Sequence, residues 1–134
     1  MLDYVELFQA LMIEAKDIDD FLNITCSENP AEMIERGNDL NVFLARSGKM
    51  LADAKYHLDA KTQSVLIDEL RKAGTLAGIP ATTINILIKS SCKQENYLVN
   101  WLERINRTCV HQLDWLRTCI SKAKEEARLG GRIG

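Results

Sequence analysis

From Pro30 to Ala73 the chain has no proline after the first residue. It repeats small or apolar side chains in unbroken steps of four and three, at Met33, Gly37, Leu40, Leu44, Ser47, Leu51, Ala54 and Leu58. Seven-residue periodicity sustained this far predicts one helix, roughly 65 Å long at about 1.5 Å per residue. A rod of that length buries its stripe only by lying along comparably long helices, of the same chain or of another copy. The expected fold is all-α: an elongated antiparallel three-helix bundle, coiled-coil-like, with one very long central helix. Gly37 and Gly48 each cost that helix about 1 kcal/mol relative to alanine, which packing of the stripe has to outweigh.

Ahead of the rod, Tyr4, Phe8, Leu11, Ala15, Ile18 and Leu22 predict a helix from about Asp3 to Thr25. Asn29-Pro30 reads as a capping side chain followed by proline at the first helical position. The short connection makes the first two helices antiparallel neighbours. Within the rod, Ala45, Gly48 and Ala52 form a strip of small residues that admits a close backbone approach. Beyond Leu58 the heptad lapses through Lys61, Thr62 and Ser64 and resumes at Val65, Leu66 and Leu70 in a shifted phase, which predicts a register change or gentle bend. Gly74, Gly78 and Pro80 end the helix. Ala81 to Ser90, carrying Ile84, Leu87 and Ile88, predicts a short capping helix. Ser91 with Gln94 fits a capping box that opens a last helix running to about Leu129. Its seam is Leu98, Leu102, Ile105, Cys109, Leu113, Leu116, Ile120, Ala123 and Ala127. The chain thus divides into one domain over 1–129 and a flexible Gly-rich tail over 130–134.

A chain of 134 residues, 46% hydrophobic and 27% charged, has the balance of a single globular domain, which excludes disordered and fibrous classes. No apolar run approaches about 18 residues, and Asp3 and Glu6 stand where a secretion signal has a basic segment. The expectation is a cytoplasmic protein without a membrane partner. Cys26, Cys92, Cys109 and Cys119 share no metal-binding or redox spacing and read as reduced, mostly buried small hydrophobes. Residues 1–88 carry eight Lys/Arg against fourteen Asp/Glu, and residues 89–134 nine against five. The two halves attract each other inside a bundle, or the second offers a modest basic surface to nucleic acid.

On the last helix Trp101, Thr108 and Trp115 recur every seven residues beside the seam, widening the apolar arc to about 160°. Phe43, Met50 and His57 flank the seam of the long helix in the same way. Either flank fills the groove between neighbours in one bundle, or Phe43, Met50, His57, Trp101 and Trp115 form a self-association surface, giving a homodimer or higher oligomer. Arg104, Arg107 and His111 project together from the outer edge of the last helix, with Trp115 one turn beyond and Lys122 farther along. Single-stranded nucleic acid uses such a pattern, phosphates on the cations and a base on the ring. The competing reading pairs the arginines with Glu103, Asp114 or acids of a neighbouring helix. Neither histidine has metal-ligand spacing, and no phosphate loop or paired carboxylate motif occurs, so no metal, cofactor or catalytic residue is expected.

Leu40–Leu58, LNVFLARSGKMLADAKYHL, and Tyr97–Leu129, YLVNWLERINRTCVHQLDWLRTCISKAKEEARL, resemble small uncharacterised helical proteins encoded in temperate-phage and prophage regions of gut bacteria. The resemblance implies a setting of phage DNA maintenance, replication or recombination and carries over no functional residue. The expected function is a non-catalytic helical interaction protein of phage or mobile-element origin, acting through self-association and a protein partner. One alternative is an accessory nucleic-acid-binding protein using the basic edge. A second is an acidic-surface nuclease inhibitor, suggested by the charge of residues 1–88.

Overall fold

A computed structural model of the chain describes residues 3–73 and 78–133. Four helices, α1 (Tyr4–Leu22), α2 (Pro30–Ala73), α3 (Ala81–Ser91) and α4 (Lys93–Ile133), pack against one another as a helical bundle, and no described residue lies in a strand. Among the described residues no helix is long and apolar enough to cross a membrane.

α2 is one unbroken helix across Gly37 and Gly48. Asn29 caps it: its Oδ1 accepts from the Ala31 and Glu32 amides at 2.9 and 3.4 Å, satisfying donors that the first turn leaves unpaired. Met33, Leu40, Ser47 and Ala54 of the heptad are buried, and the alternate positions Gly37, Leu44, Leu51 and Leu58 are half-buried. The facing seam of α4 is buried at Leu98, Leu102, Ile105, Cys109 and Leu116 and fades out at Ala127, which is exposed. Asn106 fixes the crossing of the two seams, its Nδ2 donating to the Leu44 carbonyl and the fully buried Ser47 hydroxyl at 3.2 and 3.0 Å.

α1 lies in the groove between α2 and α4. Tyr4 meets Glu95 and His57 at one end, Arg46 grips Glu14 midway, and Gln112 Nε2 donates to the Leu22 carbonyl at the other end. Its start is a capping box between Asp3 and Glu6. α1 ends at Leu22, three residues short of the expected Thr25. There Asn23 Nδ2 donates to the Asp19 carbonyl at 2.9 Å, the local side-chain bond by which Asn competes with helix propagation.

The α3–α4 junction also differs from expectation. Ser91 does not cap α4: its hydroxyl donates to the Leu87 carbonyl, holding it in the last turn of α3. The chain turns at Cys92 (φ −109°, ψ 24°), whose carbonyl accepts the Asn96 amide. Cys92 is 1% exposed, with its thiol 3.8 Å from the Thr62 hydroxyl, so burial of this side chain sets the pivot. Thr62, Val65 and Leu66 are half-buried, whereas Leu70 is 41% exposed and outside the resumed stripe. Ala45, Gly48 and Ala52 are exposed, and the neighbour at Gly48 is the Asn106 side chain of α4. The α2 stop expected at Gly74 lies outside the described residues; Gly78 turns the chain with φ 88°. The backbone stays helical through Gly130 and Gly131 to Ile133, where the sequence suggests a tail. Cys92 and Cys109 are buried, while Cys26 and Cys119 are half-buried.

Candidate functional site

α4 presents its outer edge along one line. Arg104, Arg107 and His111 are exposed there beside Asn100, Glu103 and Thr108. Trp115 follows one turn later with 66% of its surface exposed. At 1.5 Å per residue, Arg104 and Trp115 stand roughly 16 Å apart along the axis. The acids that neutralise the arginines in the competing reading are engaged elsewhere: Glu103 lies 3.7 Å from Lys55 on α2, and Asp114 lies 3.4 Å from Arg117. Arg104 and Arg107 make no ion pair with a described residue. Lys122 is different, 4.0 Å from Glu126 one turn on, so its charge is compensated locally. The acids of the first half are partly spoken for as well, Glu14 by Arg46, Asp20 by Lys16 and Asp53 by Lys49.

Most of the flank considered for self-association is covered within the chain. Met50 is 1% exposed in the core. Phe43 packs on Phe21 with ring centroids 4.7 Å apart, and His57 stands edge-on to Tyr4 at 5.5 Å, so α1 covers both. Trp101 is half-buried beside Tyr97, in the groove that Asp19 and Leu22 line from α1. Trp115 alone of the five is exposed. A heptad flank reads the same whether a helix of its own chain or a second copy covers it, and α1 supplies that cover.

Where α1 ends, the connection 23–29 passes over α2 and α4 and leaves a cleft of about 380 Å³ lined by Leu22, Asn23, Thr25, Arg36, Gln112 and Trp115, among others. Arg36 is 9% exposed. Its guanidinium carbon lies 4.0 Å from the centre of the Phe21 ring, and one Nη donates to Gln112 Oε1 at 3.0 Å. Its Nε is buried without a partner. Arg36 belongs to no motif in the sequence, although it lies one heptad before Phe43, Met50 and His57. A charged residue entering an apolar flank was the available signal. A second groove, lined by Met33, Trp115, Cys119 and Ala123 and by the polar Glu28, Lys122 and Glu126, among others, continues beyond it along α4.

Comparison of the chain with family models, curated proteins and solved structures gives no match.

Proposed function

We propose that this chain is a non-catalytic helical interaction protein of the cytoplasm, whose outer α4 edge takes single-stranded nucleic acid as its partner. The phage or mobile-element setting implied by Leu40–Leu58 and Tyr97–Leu129 is part of the proposal. The supporting frame is an elongated three-helix arrangement of α1, α2 and α4, with α3 as a cap. One observation carries the reading: Glu103 and Asp114 pair with Lys55 and Arg117, so Arg104 and Arg107 keep their donors toward solvent on one line with His111 and an exposed Trp115. Two guanidinium groups bind successive phosphates, and the indole face stacks a base.

Anisotropy of a labelled oligonucleotide over a salt series tests this. Two phosphate contacts predict that log K falls against log salt with a slope of about −1.4 for a single strand. Arg104→Ala with Arg107→Ala removes the slope, and Trp115→Ala weakens binding by about 1–3 kcal/mol. Absence of binding at low salt, or an unchanged slope in the double variant, overturns the reading. The exposure of Trp115 at the rim of a groove that Met33, Cys119 and Ala123 also line favours self-association through that ring. Light scattering then reports a dimer that Trp115→Ala dissociates.

A further inference from the structure

We propose that the cleft at the end of α1 is an oxyanion site, in which the Arg36 guanidinium binds a phosphate or carboxylate group. Arginine stays charged at any pH a protein meets, so burying it without a carboxylate is costly. The ion pairs among the described residues are otherwise surface pairs, with no side chain more than two-thirds buried. Arg36 is nine-tenths buried with only a neutral amide and a ring for company, and its Nε is orphaned. Gln112 holds the head in place: its oxygen accepts from Arg36 and its amide donates to the Leu22 carbonyl at 2.9 Å, which ties the guanidinium to the end of α1. The cleft it lines is within the size range of small-ligand sites and is lined also by Asn23, Thr25 and Trp115. An oxyanion there supplies the missing counter-charge, and the body attached to it rests on the indole. The charge it uses, Arg36, is distinct from Arg104 and Arg107, and Trp115 is shared with the outer edge of α4.

Thermal melts at constant ionic strength, balanced with sodium chloride, test the site with inorganic phosphate in one series and acetate in the other. The expected result is a saturable rise in melting temperature, because a ligand that binds only the folded state stabilises it. Arg36→Met keeps the volume, removes the charge and abolishes the rise. A response confined to phosphate or to acetate identifies the source of the oxyanion. No saturable rise with either, or the same rise in Arg36→Met, overturns the proposal and leaves the charge to the Phe21 ring and the Gln112 amide. Should Arg36→Met fail to fold, the wild-type side-chain Nε–H resonance of Arg36 decides. Buried and shielded from exchange, it shifts saturably with the anion if the site exists and stays fixed if it does not.

Discussion

Tyr4 and Glu95 meet across 91 residues of sequence, and each depends on the other. The Tyr4 hydroxyl donates to Glu95 Oε1 at 2.8 Å, and Glu95 is 7% exposed. Burial, and then the Glu95 carboxylate that accepts the phenol proton, push the Tyr4 pKa upward from 10.0. Tyr4→Phe leaves a buried carboxylate without this donor, and urea denaturation at pH 8 is expected to register a loss of about 1–3 kcal/mol. The phenol of the folded state holds its proton above the pH at which the unfolded chain releases it. Its contribution is therefore complete below pH 10 and declines as pH rises beyond that value. The gap between wild type and Tyr4→Phe is expected to narrow between pH 8 and pH 10.5, and a constant gap refutes the account. Cys109, fully buried, also has its pKa raised by burial and adds to the alkaline loss in both proteins.

At the scale of the element, Gly37 and Gly48 show how periodicity overrides propensity. Both sit inside α2, and a Cβ added at either meets only ordinary contacts, 3.9 Å from Leu116 Cδ1 and 3.7 Å from Asn106 Nδ2. Neither glycine is required by a positive φ. Gly37→Ala and Gly48→Ala are each expected to stabilise the protein by up to about 1 kcal/mol, through helix propensity and a less flexible unfolded chain. Denaturant midpoints measure the gain. A loss at Gly48 instead means that the Asn106 bonds to Leu44 and Ser47 cannot absorb the added methyl group. The heptad made α2 legible from Pro30 to Ala73 because both its face and its cap are local signals. The end of α1 and the start of α4 were less legible. Asn23 bonding back to Asp19, and Cys92 buried beside Thr62, both follow from where other helices lie.

The same division applies to the site. The exposed line of Arg104, Arg107, His111 and Trp115 was readable from helical spacing alone. The coverage of Phe43 and His57 by α1, and the burial of Met50, were not, since spacing records an apolar flank without saying which helix fills it. Arg36 was hidden for a related reason: its burial needs both the end of α1 and Gln112 of α4, which are remote from it in sequence.

The whole molecule is uneven in how much of α4 is held. The α2–α4 alignment sets Gly37 beside Leu116 and brings Met33 to the groove that Ala123 lines, while α2 itself begins only three residues earlier, at Pro30. The final turns of α4 therefore run past the start of their partner, and residues 124–130 are exposed. Among the described residues their intrachain ion pairs are surface pairs, Arg128 to Glu125 at 2.6 Å and Lys122 to Glu126 at 4.0 Å, a type worth little in water. A helical segment without tertiary contacts has the marginal stability of an isolated peptide of the same length. A chain ended after Glu126 is expected to keep its unfolding free energy within about 0.5 kcal/mol of the full chain while losing helical circular dichroism. Amides beyond Glu126 are expected to exchange at rates close to those of unfolded peptide, whereas those near Leu102 and Ile105 exchange only through global opening. A large fall in midpoint on truncation shows that these last turns are held by something more than their own backbone. With Trp115 exposed a few turns upstream, a second copy of the chain is then the first candidate, and light scattering on both lengths decides it.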